Sequence, residues 1–273
     1  MSAKVSQVDQ LDEERIRKGL TEKENKMLAK LFVSEQVGST NEEVARYMAA
    51  VEEGFVACVA NSQSAGRGRN GRVWVSPANA NIYMSIGFHV NNLEACSIGG
   101  LSLACGVAVA RFLSGLGVVV QLKWPNDLLV DGKKLAGILI ESKIKANSAS
   151  LVVGLGMNVK MSSSDAGLID QPWADLERLL GQSGKNLQRN SLVSYLIQSV
   201  MGACAEYVST GFSSFAADWS RYEILSGREV VILTDQAEIT ANVLGISDDF
   251  ALKVTDGVHE QQFYAADIKV KLK

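Results

Sequence analysis

The dipeptide Asp131-Gly132, set between two apolar segments, is the feature that most limits how this chain can fold. The flanking segments, residues 128–130 and 135–140, are rich in Leu and Ile, and Asp-Gly is a preferred two-residue turn of a β-hairpin. Strands joined by so short a turn are antiparallel, whereas a doubly wound nucleotide-binding fold joins parallel strands through crossover helices. The sequence therefore predicts an α+β fold over residues 34–220, with a mixed, largely antiparallel sheet and helices on one face.

Hydrophobic periodicity predicts the other elements of this sheet domain. The predicted strands cover residues 55–60, 81–88, 118–122 and 151–159. The predicted helices cover residues 40–50, 98–113 and 192–208. Ser39 or Thr40 is the expected N-cap of the first helix, and residues 161–171 have the composition of a loop.

Composition divides the 273 residues into three regions. Residues 1–33 are highly charged, with a sparse helical spacing of Leu20, Met27, Leu28 and Leu31, and are too few for a separate domain, so we expect an N-terminal arm or helix. Residues 34–224 form the expected main domain. From residue 225 to residue 273, short β-rich segments between Gly, Asp and Asn residues predict a small β-barrel. Its predicted strands cover residues 229–233, 238–244, 251–254 and 261–264.

Overall composition narrows the class of protein. Hydrophobic residues make up 47% and charged residues 21%, as in ordinary globular domains, and the net charge is −3. We therefore expect no nucleic acid and no membrane bound through a broadly basic surface. The N-terminus lacks the apolar segment of a signal peptide, and Arg111 interrupts the most apolar stretch, so we expect a cytoplasmic protein. The cysteines are expected to be buried, reduced thiols; they are Cys58, Cys96, Cys105 and Cys204.

A segment rich in glycine and arginine, residues 63–72 (QSAGRGRNGR), carries the clearest chemical signal. Gly66, Gly68 and Gly71 fit the G-x-G-x-x-G pattern of a dinucleotide-binding turn. That pattern should open a helix and be followed by an acidic residue about 20 positions later. Here no helical pattern follows, and the next acidic residue is Glu94. We therefore reject a dinucleotide-binding turn.

Charge gives this glycine–arginine loop another interpretation. Residues 54–93 contain no acidic residue, and Arg67, Arg69 and Arg72 are their only charges. Arginine presents a planar donor fork that suits phosphate or carboxylate, and glycine lets the backbone approach a ligand closely. The loop is consistent with a phosphate site or with a solvated basic turn.

Residues 122–127, Leu-Lys-Trp-Pro-Asn-Asp, lie between a predicted buried strand and the hairpin. Pro125 restricts the backbone of Trp124 to an extended conformation. A lysine beside a tryptophan commonly covers the ring at the surface. The apolar strands on both sides favour instead a Lys123 that points into a cleft at the sheet edge. There its ammonium group can lie between two anions and reduce their repulsion when a carboxylate attacks a phosphate.

Two further segments supply polar groups. Residues 38–41 (Gly-Ser-Thr-Asn) open a predicted helix, where free backbone N–H groups and short side chains can bind a polar ligand; a simple N-cap is the alternative interpretation. Residues 154–158 (Gly-Leu-Gly-Met-Asn) end a predicted strand with a polar residue. A close-packed strand end with a bulge is the alternative interpretation of that segment.

Taken in order, five segments resemble the motifs of the biotin–protein ligases. They are residues 38–41 (GSTN), Gln63 with residues 65–69 (AGRGR), residues 123–127 (KWPND), residues 134–139 (KLAGIL) and residues 154–158 (GLGMN). The resemblance runs from about residue 34 to the C-terminus. It implies that residues 34–224 form a catalytic domain that binds biotin and ATP and is related to class II aminoacyl-tRNA synthetases. It also implies that residues 225–273 form an SH3-like barrel.

The reaction implied by the resemblance has two steps. The biotin carboxylate attacks the α-phosphate of ATP in the presence of Mg²⁺, giving biotinyl-5′-AMP and pyrophosphate. A lysine of a biotin carboxyl carrier protein, from acetyl-CoA carboxylase or a related biotin-dependent carboxylase, then takes the biotinyl group. The implied enzyme is a monomer or a homodimer.

The resemblance also assigns roles to residues. The implied biotin-binding residues are Ser39, Thr40, Asn41, Gln63, Gly66, Arg67, Gly68, Arg69 and Lys123. The implied nucleotide-binding residues are Arg69, Arg72, Trp74, Lys123 and Asn158. Lys123 and Arg69 are the expected catalytic residues, residues 161–173 are expected to close over the nucleotide, and Arg189 is expected to support the site from behind. The magnesium ligands are unknown, with Asp127 as a candidate.

Some members of this family carry an N-terminal winged helix-turn-helix and repress transcription. Only 33 residues precede the shared region here, so we expect a ligase without repressor activity. Three alternatives stay open. They are a lipoate–protein ligase with the same sheet domain, a nucleic-acid-binding module that uses the arginines, and a relative that binds biotin without catalysis.

Overall fold

The computed structural model describes residues 10–92, 97–162, 165, 167, 169–184, 187–265 and 268–272. The strands of its larger sheet are β1 (Leu28–Val37), β2 (Phe55–Gln63), β3 (Ile82–Val90), β4 (Gln121–Lys123), β5 (Asp127–Val130), β6 (Lys133–Lys145) and β7 (Ser148–Met157). They lie in the order β1-β2-β3-β7-β6-β5-β4. β1 is parallel to β2, and the other neighbouring pairs of this sheet are antiparallel. The predicted mixed, largely antiparallel sheet is confirmed.

The hairpin between β5 and β6 is built as the sequence predicts. Val130 pairs with Lys133, which leaves Asp131 and Gly132 as the two turn residues. Both have positive φ, +50° and +73°. A type I′ turn requires this backbone, which glycine and, to a lesser degree, aspartate adopt. The turn sets the register of the first pairs of β5 and β6, and the register shifts between Leu128 and Leu129.

Helices cover both faces of the sheet. The described helices are α1 (Glu13–Lys18), α2 (Glu22–Met27), α3 (Thr40–Met48), α4 (Leu101–Gly115), α5 (Leu176–Leu180), α6 (Arg189–Thr210) and α7 (Ser213–Tyr222). α4 and α6 pack together over the main core, which includes Ala57 and Val59 of β2. α3 packs on the other face, against Val56 and Cys58. The expectation of helices on one face is wrong, because successive β2 residues point to opposite faces and both sets are apolar.

The first described residues pack against the main domain. The Ile16 side chain is fully buried, and Ser194 on α6 donates a hydrogen bond to the Ile16 carbonyl (2.8 Å). β1 then begins at Leu28, so the helical spacing predicted through Leu31 is wrong beyond Met27. Pairing with β2 along the length of β1 outweighs that local spacing. The domain division at residue 34 stays a prediction.

The chain ends in a second, antiparallel sheet. Its strands are β8 (Glu229–Leu233), β9 (Glu238–Ile246), β10 (Leu252–Thr255), β11 (Glu260–Phe263) and β12 (Lys269–Leu272), in the order β11-β10-β9-β8-β12. The four predicted strands are confirmed, and β12 was not predicted. The Trp124 indole N–H donates to the Phe250 carbonyl (3.0 Å), which joins this sheet to the main domain. The arrangement is consistent with the expected SH3-like barrel.

Two expectations from composition bear on the interior and on membranes. Cys58, Cys105 and Cys204 are buried, as predicted, whereas Cys96 lies outside the described residues. Within the described ranges, no helix combines the length and the apolar character that crossing a membrane requires.

A buried arginine ties α6 to two strands. Arg189 is 2% exposed, and its guanidinium donates to Asn61 Oδ1 (3.0 Å) and to the Asn81 carbonyl (3.0 Å). Asn61 in turn donates to the carboxylate of Glu35 on β1 (2.9 Å). A buried polar network of this kind stabilises a fold while every member is paired and becomes costly when one is removed.

We expect Arg189→Met to lower the free energy of unfolding by about 3 kcal/mol, because the buried acceptors lose a charged donor. Urea denaturation measures the change. Arg111→Met is the matched control: Arg111 pairs with Asp218 where the two side chains are 40% and 30% exposed. There we expect a loss of about 1 kcal/mol or less. Equal losses in the two variants would contradict the role given to Arg189.

Candidate functional site

One cavity collects most of the predicted site residues. It is bordered by the start of α3, the glycine–arginine loop, the turn between β4 and β5, residues of β6 and β7, and the start of β12. The predicted residues that line it are Ser39, Thr40, Asn41, Gln63, Arg67, Gly68, Arg69, Arg72, Trp74 and Lys123. Gly66 and Asn158 do not line it.

Hydrogen bonds order the polar residues at the start of α3. Gln63 Oε1 accepts from the Thr40 backbone N–H (2.9 Å) and hydroxyl (3.1 Å). Ser85 Oγ lies 2.7 Å from Thr40 Oγ1 and donates to Asn41 Oδ1 (2.5 Å). Ser39 is the N-cap, but its side chain makes no capping hydrogen bond. Ser39 nevertheless lines the cavity.

Glycines on β6 and β7 make room for two of the cavity side chains. A Cβ at Gly154 would lie 2.3 Å from Asn41 Oδ1, and one at Gly156 would lie 2.5 Å from the Trp74 ring. Gly137 pairs with Gly156, and a Cβ at Gly137 would lie 3.3 Å from the same ring. The cavity floor therefore requires these small residues. β7 pairs with β3 and β6 without a register shift, so the bulge considered for this strand end is not the reason for its glycines.

The glycine–arginine loop folds into a small hairpin. The Gly68 N–H donates to the Arg72 carbonyl (2.7 Å), and the Trp74 N–H donates to the Gly66 carbonyl (2.9 Å). Gly71 has a φ of +71°, which glycine adopts without strain. A Cβ at Gly66 would lie 2.6 Å from the Trp74 carbonyl oxygen. Gly66 thus shapes the turn from outside the cavity.

Arg67 is paired with carboxylates. Its guanidinium contacts Glu42 in the first turn of α3 and Glu141 on β6 (3.1 Å). Partial burial disfavours the charged form, but Glu141 and Glu42 outweigh that effect and raise the pKa of Arg67. Its charge is compensated within the protein, and its biotin-binding role stays a prediction.

Lys123, the last residue of β4, lines the cavity. Among the described residues, its ammonium group makes no hydrogen bond and no ion pair. Burial lowers the pKa of Lys123; Asp127 opposes that shift, and the neighbouring cations Lys134, Arg72 and Lys269 add to it. The cation is therefore partly removed from water and only partly compensated by Asp127, which favours its interaction with an anionic ligand.

Arg69 reaches across the cavity to the second sheet. Its guanidinium donates to the Ala265 carbonyl and lies 3.5 Å from Asn126 Oδ1. Burial lowers the pKa of Arg69, with Asp127 opposing the shift and Arg72 adding to it. The loop and the second sheet are therefore joined through a residue that lines the cavity.

Asp127 is the one carboxylate among the described residues that line the cavity. Lys134 Nζ lies 2.6 Å from Asp127 Oδ1, so the two groups form an ion pair. The angles at this contact do not meet the geometry of a hydrogen bond. Nζ also lies 5.3 Å from the centre of the Trp74 ring. Within the described part of the chain, no three His, Cys, Asp or Glu side chains are grouped to hold a metal ion. These residues do not fit a metal ion held mainly by protein ligands.

Two residues named by the resemblance, Asn158 and Arg189, do not line the cavity. Asn158 Nδ2 donates to the carbonyls of Lys134 (3.2 Å) and Ala174 (3.1 Å). It therefore links β6 to the segment that contains Ala174. Arg189, the first residue of α6, donates to Asn61 and to the Asn81 carbonyl, and neither of these residues lines the cavity. Of the predicted closing segment, residues 163, 164, 166 and 168 lie outside the described residues. Pro172, from its described part, accepts from the Lys134 N–H (2.9 Å).

Sequence reasoning gave no role to several residues of the site. Lys134 and Glu141 directly precede and follow the apolar segment 135–140. A charged residue at each end of a predicted strand is the sequence feature that could have indicated them. Gln171 and Lys269 also line the cavity. They reach it through tertiary packing, which no local pattern indicates.

Comparison with known sequences identifies the family. The model of the biotin/lipoate A/B protein ligase family matches residues 33–158. The bifunctional ligase/repressor BirA of Escherichia coli (strain K12) is 35% identical over 225 residues, which cover 81% of this chain and 68% of that protein. The biotin–[acetyl-CoA-carboxylase] ligase of Mycobacterium tuberculosis is 32% identical over 224 residues, which cover 80% of this chain and 79% of that protein.

Comparison with solved structures agrees in fold. The biotin protein ligase from Aquifex aeolicus in complex with biotin and ATP matches with a TM-score of 0.73 at 24% identity, covering 90% of this chain and 100% of that one. An identity this low shows the fold alone, and the predicted fold class is confirmed. The sequence relatives carry the family assignment, as the motifs predicted. This chain is a ligase that belongs to the biotin/lipoate A/B protein ligase family.

Proposed function

We propose that this chain activates biotin with ATP to biotinyl-5′-AMP and transfers the biotinyl group to a lysine of a biotin carboxyl carrier protein. One observation carries the proposal. A single cavity combines ordered, neutral hydrogen-bonding groups with a cluster of cations; the cations are Arg69, Arg72, Lys123, Lys134 and Lys269. The relative named as a biotin–[acetyl-CoA-carboxylase] ligase and the structural neighbour named with biotin and ATP support the choice of substrates.

The neutral part of the cavity suits the biotin ring system. A cyclic urea offers N–H donors and a carbonyl acceptor, and it needs partners of fixed orientation. Hydrogen bonds hold Thr40, Gln63 and Asn41 in fixed orientations, and Ser39 adds a hydroxyl that does not cap the helix. Met84 and Leu155 add apolar surface to the wall.

The cationic part suits the first chemical step. An oxygen of the biotin carboxylate attacks the α-phosphorus of ATP, and the bond to the pyrophosphate oxygen breaks. Both reactants are anions, so their approach needs positive charge that is poorly screened by water. Lys123 supplies such a charge, and Arg69 and Arg72 lie around the same cavity.

The second step needs protection from water. The carrier lysine, as a neutral amine, attacks the acyl carbon, the bond to the AMP oxygen breaks, and the amine loses a proton. The mixed anhydride hydrolyses if water reaches it first. The glycine–arginine hairpin and Gln171 border the cavity. At that position they restrict the access of water and so favour retention of the intermediate.

Magnesium enters this proposal as the counter-ion of ATP. Mg²⁺ commonly keeps several waters and binds substrate phosphates together with one or two carboxylates. Asp127 is already paired with Lys134, so the proposal assigns no protein ligand to the ion.

We also propose the location, the oligomeric state and the protein partner of the enzyme. It is cytoplasmic, it is a monomer or a homodimer, and it modifies the carrier protein of acetyl-CoA carboxylase or a related carboxylase. The expected lack of repressor activity stays a prediction. A mobility-shift assay on DNA with biotin and ATP present tests it, and a specific shift would contradict it.

Lipoate is the second candidate substrate, because the matching family includes lipoate ligases. Titration calorimetry with biotin and with lipoate, followed by exchange of labelled pyrophosphate into ATP with each acid, separates the two. Exchange that depends on biotin supports the proposal. Exchange that depends on lipoate and not on biotin would replace it.

We expect Lys123→Ala to slow biotin-dependent exchange of pyrophosphate into ATP by about 100-fold to 1000-fold, because the step loses a buried charge. Lys133→Ala, at an exposed position of the β5–β6 hairpin, is the matched control and should exchange at the rate of the unchanged protein. Near-normal exchange by Lys123→Ala would remove the role assigned to this lysine.

The lowered pKa of Lys123 predicts the pH dependence of the first step. Below that pKa the ammonium group is charged. As pH rises through it, the charge is lost, so kcat/KM for exchange, which reports the free protein, should fall at a lower pH than the ordinary lysine value of 10.5 would give. Lys123→Arg keeps its charge at high pH and should move this decline upward. An unchanged decline in Lys123→Arg would assign it to another group.

We expect Arg69→Gly to release biotinyl-5′-AMP at least about tenfold faster, because a charge-assisted contact to the adenylate is lost. Exchange of pyrophosphate into ATP should fall by a smaller factor. Rapid filtration after a single turnover measures the release rate. Arg228→Gly, an exposed arginine of the second sheet domain, is the control. Release no faster than in the control would count against the role of Arg69.

A further inference from the structure

Phe250 has a backbone conformation that a phenylalanine rarely adopts. It lies in the turn of residues 247–251 between β9 and β10, and its φ is +68°. Its N–H donates to the Ser247 carbonyl (2.9 Å) within this turn. Glycine adopts a positive φ without strain, whereas a bulky residue there costs free energy and persists only where other contacts compensate. The contacts of the Phe250 ring supply that compensation.

The Phe250 ring packs against the main domain. A Cβ at Gly100 would lie 2.6 Å from this ring, so the ring approaches the start of α4 as closely as a glycine allows. Its other neighbour is Phe212, between α6 and α7; the two ring centroids are 5.2 Å apart in an edge-to-face arrangement. The ring therefore attaches the β9–β10 turn to the helices of the main domain.

The Phe250 backbone contacts the segment that carries Lys123. The Phe250 carbonyl accepts from the Trp124 indole N–H (3.0 Å), and Trp124 is 3% exposed. On the other side of Lys123, the Leu122 carbonyl accepts from the Ile224 N–H (3.0 Å), where the main domain leads into the second sheet. Both chain neighbours of Lys123 are thus hydrogen-bonded to the C-terminal part of the chain.

We propose that Phe250 is a positioning residue: its ring holds the β9–β10 turn in place, and its carbonyl then fixes Trp124 and, with it, the position of Lys123 in the cavity. The contacts are a property of the free protein, whereas their consequence for catalysis rests on the function proposed above. A residue that served the turn alone would favour glycine at this φ.

The variant Phe250→Gly separates these two roles by the sign of its effect. It relieves the backbone and keeps the carbonyl but removes the ring. If Phe250 only shapes the turn, the Trp124 indole N–H should stay protected from solvent at least as well as before. We expect instead that this N–H exchanges with deuterium about tenfold faster in the free, full chain, because the turn opens more often.

Nuclear magnetic resonance of the indole N–H groups measures this exchange. Trp124→Phe, which lacks the indole, identifies the signal. Phe250→Leu keeps an apolar side chain and should give a smaller increase than Phe250→Gly. Val258→Gly, which removes an 81% exposed side chain from the turn between β10 and β11, is the matched control and should leave the exchange of the Trp124 N–H unchanged.

Kinetics of pyrophosphate exchange test the consequence for catalysis. In Phe250→Gly we expect kcat to fall about fivefold while the KM for biotin stays within about twofold, because Lys123 acts in the transition state of the first step. Trp124→Phe removes the indole donor and should lower kcat by a similar factor. Adding Phe250→Gly to Trp124→Phe should lower kcat no further, since both changes break the same hydrogen bond.

Three results would overturn this positioning role. They are unchanged or slower indole exchange in Phe250→Gly, a higher KM with unchanged kcat, and losses of kcat that multiply in the double variant. A total lack of biotin-dependent exchange in the unchanged protein would overturn the proposed function, and the indole measurement would then decide by itself whether Phe250 holds the turn.

Discussion

Positive charge held in a poorly hydrated cavity is the constraint on which the structure of this site depends. Like charges such as Lys123, Lys134 and Arg72 repel one another, and burial adds to the cost of keeping them ionised. A single cavity carboxylate, Asp127, relieves part of that cost among the described residues. Such a site favours anions strongly, and two anions that must react with each other are the ligands for which it is best suited.

The fold maintains this arrangement through residues that bear no charge. Gly137 and Gly156 leave space for the Trp74 ring, which in turn lies beside Lys134. Gly154 leaves space for Asn41. The two-residue turn between Lys145 and Ser148 sets the register of β6 and β7, which brings Gly137 opposite Gly156. Small residues at fixed positions of two strands thus determine where the polar and cationic side chains of the cavity lie.

The sequence predicts much of this architecture, and the failures have physical causes. Asp131-Gly132 was sufficient for the antiparallel sheet because turn chemistry acts locally. β1 was missed because its pairing with β2 is tertiary and its apolar residues mimic a helical spacing. The pattern does not indicate that helices pack on both faces of the sheet, because an apolar strand such as β2 carries no information on which element packs against each face.

The sequence also predicts only part of the functional site. Ordered motifs predicted that Lys123, Arg69 and the polar residues of α3 meet in one place, and the cavity brings them together. They did not predict that Arg67 is paired with Glu141, because ion pairing between distant segments depends on the folded chain. Lys269 was missed for the same reason, since it comes from the last strand of the second sheet.

A crystal structure with a non-hydrolysable analogue of biotinyl-5′-AMP tests the central claim most directly. We expect Lys123 Nζ and the Arg69 guanidinium both to lie within hydrogen-bond distance of the phosphoryl group of the analogue, about 2.7–3.2 Å, with no bulk water between them. An analogue bound elsewhere, or one whose phosphoryl group faces solvent while both cations point away, would contradict it.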